Sequence, residues 1–227
     1  MVVSKKPLVR LKTVCLEKRE NDKKGRSEQE NFWMGGFGIH YSQRNAGAHL
    51  VDGRAHLLKD ALKSASEIKN IIEFGANIGL NIYALKNLFP KINLSAIEIN
   101  KEAINRLLEI QDLKVYQGSV ADIHTKGLYD LVVSVGLLIH IHPDDLSAVY
   151  DNIHRVSSRY ILIAEYYNPE PVSISYRGYE NKLFKRDFAG DLLDKYQDLK
   201  LVDYGFCYHR DPKVALDDIT WFLLEKV

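Results

Sequence analysis

Cysteine is scarce: Cys15 and Cys207 are the only two in 227 residues. Two thiols so far apart make no disulfide framework, and no Cys/His spacing matches a zinc site. The expected setting is a reducing cytoplasm, and no metal is implied. Charge of one sign is also not in excess. Lys plus Arg number 31 and Asp plus Glu 30, so the net charge is +1. That excludes a whole-molecule attraction to nucleic acid or an anionic membrane and leaves only local patches. No run approaches the ~20 apolar residues of a membrane-spanning helix. The basic N-terminus is not followed by an apolar segment, so it does not read as a secretory signal. Internal repeats and low-complexity tracts are missing too.

What remains is a globular composition, 46% hydrophobic and 27% charged, long enough for one large domain with a small appendage. Three segments are expected. Residues 1–27 form an N-terminal extension, rich in Lys, Arg and Glu, with a flexible link over Lys18 to Arg26; disorder or an edge strand is the default for such a terminus. Residues 28–66 form a helical cap. Phe32, Trp33, Phe37 and Tyr41 lie there among Gly35, Gly36 and Gly38, which weaken a plain helix and favour a lid over one packed on the sheet edge. Leu50, Leu57, Leu58 and Leu62 mark one face of a helix over 48–65. Residues 67–227 form the main domain.

From Ile68 onward strands alternate with helices. Strands are predicted at 69–74, 93–98, 112–117, 129–135, 159–165, 199–206 and 218–225, and helices at 78–88, 101–110, 144–156 and 185–196. This spacing predicts an α/β fold, a doubly wound, seven-stranded, mostly parallel sheet with helices on both faces. The last two strands have no helix between them, so an antiparallel edge hairpin is expected.

Ile71-Ile72-Glu73-Phe74-Gly75-Ala76-Asn77-Ile78-Gly79 reads as strand, small-residue turn and helix start, a nucleotide-binding corner. The third glycine of a dinucleotide fingerprint would fall on Asn81, and no Gly-Lys-Ser/Thr of a P-loop follows. Glu73 repels a pyrophosphate and suits a ligand carrying an ammonium group. The second strand ends at Glu98, an acid placed to accept from ribose hydroxyls. The third strand leads to Gly118-Ser119-Val120, where an adenine ring can lie. The fourth leads through Val135 and Gly136 to His140.

These four stations resemble the class I S-adenosylmethionine-dependent methyltransferases, with Asn77 in place of the usual middle glycine and Ser119 in place of an acid. Asn tolerates left-handed backbone angles better than most residues. The resemblance implies S-adenosylmethionine as cofactor, with Trp33, Tyr41, Glu73, Gly75, Asn77, Gly79, Glu98, Ile99, Ser119, Val120 and Val135 around it. Together with the Glu30 to Asn45, Ala164 to Val172 and Tyr176 to Gly190 stretches, the chain from about Glu28 is similar to the pseudaminic acid biosynthesis-associated methylase family. That likeness implies a sugar or nucleotide-sugar acceptor from a nonulosonic acid surface-glycan pathway.

Tyr166, Tyr167, Asn168, Tyr176, Arg177 and Lys182 are the expected acceptor contacts. Aromatic faces pack on sugar rings, and cations pair with carboxylate or phosphate. A sugar hydroxyl is a weak nucleophile that gains from a general base. His140 is the first candidate and Glu165 the second; His142, on the opposite side of an extended segment, ranks lower. Two other readings stand: a protein or other small-molecule methyltransferase, and a catalytically silent cofactor-binding subunit. The charge balance and the lack of a base-flipping motif argue against a nucleic-acid substrate.

Overall fold

A computed structural model describes residues 14–15, 26–45, 47, 49–123, 125, 127–212 and 216–227. The expected link over Lys18 to Arg26 lies outside them except for its last residue. The elements in chain order are β1 (Val14–Cys15), α1 (Glu28–Met34), α2 (Gly36–Arg44), α3 (His49–Ala61), β2 (Asn70–Phe74), α4 (Leu80–Leu88), β3 (Asn93–Glu98), α5 (Lys101–Leu107), β4 (Leu113–Gln117) and β5 (Tyr129–Val135). A single 3₁₀ turn (Leu138–His140) precedes α6 (Pro143–Val156), β6 (Ser157–Glu165), β7 (Val172–Tyr176), β8 (Tyr179–Lys185), α7 (Phe188–Lys195), β9 (Leu199–Cys207) and β10 (Ile219–Lys226).

The main sheet runs β1-β4-β3-β2-β5-β6-β10-β9. Strands β2 to β6 pair parallel, while β10 is antiparallel to both β6 and β9. The expected doubly wound sheet and its antiparallel edge hairpin are both present. The short β1 adds an eighth strand, parallel to β4 at Tyr116 and Gln117. Strand order reverses between β2 and β5, and ligands of such sheets bind at the carboxyl ends beside that switch.

Alternation along the strands decides which helix each side chain meets. Ile71, Ala96, Val133 and Leu162 pack on the α3–α4–α5 side. Ile72, Phe74, Ile97, Val132 and Ile163 pack on the α6–α7 side. Glu73 lies between Ile72 and Phe74, so it faces α3 and α4. Glu165, two residues after Ile163, falls on the α6 side. The two strand-end acids therefore serve opposite faces of the sheet.

The β7–β8 hairpin stands where the sequence pattern predicts neither strand. Arg177 (φ 52°) and Gly178 (φ 84°) join its strands through two left-handed residues, the geometry of a tight hairpin turn. Most of its side chains are exposed, so it lacks the polar–apolar alternation that announces a half-buried strand. Because β8 runs to Lys185, α7 starts at Phe188 rather than at 185, capped by Asp187, whose carboxylate accepts from the Gly190 N–H.

Candidate active site

The β2–α4 turn depends on left-handed backbone at Gly75 (φ 71°), Asn77 (φ 48°) and Gly79 (φ 85°). A side chain at Gly75 would also strike Leu137, whose Cδ1 lies 2.5 Å from the Cβ position. The glycine thus lets the β5 loop close down on the turn. The N–H groups here point inward. Those of Gly75 and Ala76 donate to the Ile97 carbonyl, that of Gly79 to the Ala76 carbonyl, and that of Asn77 to Glu98 at 2.6 Å. Such a turn has little left with which to cradle a phosphate.

Glu98 also accepts from the N–H groups of Ile99 (2.9 Å) and Asn100 (2.8 Å). Burial pushes its pKa up, and these backbone donors oppose that rise. Glu73 is fully buried. Its Oε1 accepts from Asn81 Nδ2 at 2.6 Å, and its Oε2 has no hydrogen-bond partner among the described residues. Burial raises its pKa to about 7, against the opposing Asn81 hydrogen bond and the Arg54 charge.

Helices α1 and α2 lie across this edge, and four polar ties dock them. Asn100 Nδ2 donates to the Trp33 carbonyl (2.9 Å) and Ser42 Oγ to Asn77 Oδ1 (2.6 Å). Gln29 Nε2 donates to the His140 carbonyl (2.7 Å), and Lys182 Nζ to Glu28 (2.7 Å). Gly38 is buried, and a Cβ there would fall 1.9 Å from the Trp33 carbonyl oxygen. Aromatic contacts complete the seat: Trp33 on Tyr41 (5.3 Å between ring centroids), and Phe32 on Phe37 (4.2 Å) and on Tyr179 of β8 (5.1 Å).

Between cap and sheet lies a cleft of about 1160 Å³, open to solvent at its mouth. Trp33, Tyr41, Gly75, Asn77, Glu98, Ile99, Ser119, Val120, Val135 and His140 all line it. Gly79 does not; it packs against Ile110 and Leu107. Glu73 stands behind Asn81 and Arg54, which do line the cleft. Ser119 Oγ accepts from the Ala121 N–H, so its first duty is to hold its own turn.

His140 is 7% exposed. Its Nδ1 lies 2.9 Å from the Lys182 carbonyl, and its ring sits against Trp33 (4.5 Å) and Tyr176 (5.1 Å). Burial lowers its pKa to about 4, despite the opposing hydrogen bond to that carbonyl. A neutral ring donating from Nδ1 carries its lone pair on Nε2.

Among the other expected site residues, Glu165, Lys182, Tyr167 and Asn168 are engaged elsewhere in the structure. Glu165 is not a free base: it accepts from Ser134 Oγ and from the N–H groups of Leu137, Leu138 and Ile139, and it lies outside the cleft lining. Lys182 is buried and committed to Glu28, with its ammonium over the Phe32 ring. Tyr167 packs near Phe222, and Asn168 donates to the Glu170 carbonyl, both away from the cleft. Tyr166 donates to Asp217. Tyr176 backs His140 and Phe37, and Arg177 sits exposed at the hairpin tip, over the Tyr176 ring. Gln29, Ser42, Arg54, Asn81 and Asn100 were missed. Asn81 alone carried a signal, as a polar residue where a fingerprint wants glycine.

Residues 71–159 match the model of a family described as "Methyltransferase domain". They form a methyltransferase domain. No curated protein matches the sequence. Among solved structures, the chain is similar to an S-adenosylmethionine-dependent methyltransferase from Clostridium acetobutylicum, at 11% identity, TM-score 0.59, covering 84% of this chain and 97% of that one. It is also similar to an amino pentose methyltransferase from Micromonospora echinaspora solved with S-adenosylmethionine bound, at 8% identity, TM-score 0.59, covering 84% and 96%. A third is the 1,6-didemethyltoxoflavin-N1-methyltransferase of Burkholderia thailandensis, at 14% identity, TM-score 0.63, covering 88% and 87%. At these identities the likeness establishes the fold. The narrower likeness to the pseudaminic acid biosynthesis-associated methylase family finds no support in these comparisons.

The methyltransferase domain takes S-adenosylmethionine as its cofactor, and the cleft fits that group. Trp33 Nε1, Arg54 Nε, Asn81 Oδ1 and Gln29 Oε1, all on lining residues, are buried without a hydrogen-bond partner among the described residues. With the spare oxygen of Glu73, they supply both donors and acceptors for a polar, zwitterionic ligand. No helix among the described residues is long and apolar enough to cross a membrane.

Proposed function

We propose that the enzyme methylates a hydroxyl or amino group of a small anionic acceptor, a sugar or nucleotide sugar. When bound, the cofactor supplies an activated methyl group on a sulfonium. Glu73 with Asn81 takes its ammonium end, Arg54 its carboxylate, Glu98 its ribose hydroxyls, and the Ser119–Val120 turn its adenine. Trp33 and Tyr41 seal it from the cap side. His140 accepts the nucleophile's proton at Nε2. The observation that carries this reading is the neutral His140, pinned at Nδ1 by a backbone carbonyl in an aromatic wall of the cleft.

Tyr41 and Tyr176 offer faces for a sugar ring. Arg177 has no ion-pair partner among the described residues, and its charge acts on the Tyr41 hydroxyl. It is free to meet a carboxylate or phosphate, as on a nonulosonic acid or its nucleotide-activated form. The amino-sugar chemistry of the Micromonospora protein accords with this class.

The test incubates the enzyme and S-adenosylmethionine with UDP-, GDP- and CMP-linked sugars, the free sugars, and a peptide library, reading a methyl mass shift. Methylation of a sugar, lost on His140→Ala and weakened in KM by Arg177→Gln, is expected. Methylation confined to the peptides would overturn the acceptor class. Absence of any product, with no binding of S-adenosylhomocysteine by calorimetry, would overturn the reading whole.

A further inference from the structure

We propose that Glu165 is a positioning residue, the carboxylate that holds the 136–140 loop so that His140 faces the acceptor. The inference rests on the reading of His140 as the proton acceptor. It gives work to a buried acid that the methyl transfer itself does not touch.

Glu165 is the last residue of β6 and only 2% exposed. Its Oε1 accepts from Ser134 Oγ, from the Leu137 N–H and from the Leu138 N–H, each at 3.0 Å. Its Oε2 lies 3.4 Å from the Ile139 N–H. Three successive backbone donors thus converge on one side chain. They stand at the start of the 3₁₀ turn Leu138–His140, where N–H groups have no partner within the turn. A buried carboxylate with this many donors is fixed in place, and it fixes them in return.

Two ends of that loop do different things. Leu137 packs on Gly75 of the cofactor turn. His140 closes the loop, and its own N–H donates back to the Leu137 carbonyl at 2.8 Å. With the backbone held by Glu165 and Nδ1 held by the Lys182 carbonyl, the imidazole is located from two sides. The first support comes from the central sheet and the second from the β7–β8 hairpin. Removing the first leaves the residue held only by the hairpin and by the Gln29 and Trp33 contacts of α1.

Glu165→Gln tests this, because the amide keeps the size but offers one acceptor and turns an N–H₂ toward backbone donors. Two readouts are needed. In the ¹⁵N-labelled protein with S-adenosylhomocysteine, the imidazole signals missing from His140→Ala identify His140. The wild type is expected to show the neutral Nδ1–H form, and Glu165→Gln to show shifted, exchange-broadened signals. Ser134→Ala, which removes a single donor, should give a smaller displacement and guards against a Gln variant that fails to fold.

In turnover of whichever panel sugar is methylated, Glu165→Gln should lower kcat by ~30-fold, within the ~100-fold that a misplacement of about 1 Å costs. Cofactor Kd should change by less than ~3-fold, on the scale of a neutral hydrogen bond. Glu165→Gln with His140→Ala together should fall no further than His140→Ala alone, as residues acting in series do. Unchanged imidazole signals in folded Glu165→Gln, or multiplying losses in the double variant, would overturn the proposal. Full turnover by His140→Ala would instead overturn the base reading, while the imidazole spectrum still decides what Glu165 holds.

Discussion

Asn81 holds Glu73: the amide of one donates to the carboxylate of the other at 2.6 Å, from the first turn of α4 to the fourth residue of β2. A glycine at 81, as in a dinucleotide fingerprint, could not do this. The corner is instead built to keep an acid in a closed space with one oxygen unsatisfied. An anion is repelled there and a cation is welcome, so the amino-acid end of S-adenosylmethionine belongs beside it.

Cofactor binding should therefore release a proton. Unliganded Glu73 is protonated below about pH 7, because burial raises its pKa to that value. An ammonium beside it favours the ionised form and lowers the pKa. At pH 6, titrations in buffers of different protonation heat should report proton release, and at pH 8.5 they should not. Glu73→Gln should abolish the buffer dependence and weaken binding about 10- to 100-fold, as loss of a charged hydrogen bond does. A buffer-independent heat at pH 6 for the wild type would contradict the assignment.

Stability of the ligand-free protein should be higher at about pH 5 than at about pH 7. Glu73 and Glu165 each have a folded pKa raised to about 7 by burial. A raised folded pKa gives stability that is complete below the unfolded value and lost as pH climbs through the folded one. The Tm should thus fall between about pH 4.5 and 7 and level off above that. His140 works in the opposite sense. Its folded pKa is lowered to about 4, so its contribution is present above the unfolded value and lost as pH falls from about 6.5 toward 4. Thermal melts across pH 4.5 to 8.5 check the net fall. Glu73→Gln should flatten it, and His140→Phe should steepen it.

Gly38→Ala should undock the cap while leaving the sheet intact. The new methyl would meet both the Trp33 carbonyl oxygen, at 1.9 Å, and the Asn100 Nδ2 that donates to it, at 2.9 Å. Neither backbone nor amide can give way cheaply, so α2 must lift. Overpacking of this kind costs about 1–3 kcal/mol, less than the sheet's core holds. Expected are faster tryptic cleavage at Arg26 or Arg44, at least ~10-fold weaker cofactor binding by the same energy scale, and an unchanged far-UV spectrum. Gly36→Ala is the control, because a Cβ there meets nothing within 4 Å.

The sheet was legible because its strands are buried on both faces and read as apolar runs between helices of regular period. β2, β3 and β5 begin and end within a residue of their expected bounds. The cofactor corner was legible for the same reason: an acid or small residue at a strand end breaks the run. What could not be read were contacts made between distant elements. Arg54 looks like any polar helix residue, and only the packing of α3 on the Glu73 face makes it part of the site. Gln29 and Lys182, 153 positions apart, meet through a carbonyl that the sequence cannot mark. Glu165 looked like a base because strand-end acids are so often functional. Its three backbone donors come from a loop whose path depends on the β2 turn.

Asn77 gives the sharpest local test, since two demands meet there. Its φ of 48° favours glycine, whereas its side chain serves the cap by accepting from Ser42 Oγ at 2.6 Å. Its N–H also binds Glu98, so a shift of the turn would move the carboxylate that faces the ribose. Asn77→Gly removes only the Ser42 contact and relaxes the backbone. The net change in stability should stay within ~1 kcal/mol, the scale of one hydrogen bond. Asn77→Val keeps neither, and a β-branched residue in left-handed backbone costs about 1–3 kcal/mol. Denaturant midpoints should therefore rank wild type close to Gly and both well above Val. Cofactor affinity should follow the same order, with Gly within ~3-fold and Val weaker by more than ~10-fold on the same energy scale. Equal losses in Gly and Val would mean that the Ser42 contact, not the backbone angle, governs this turn.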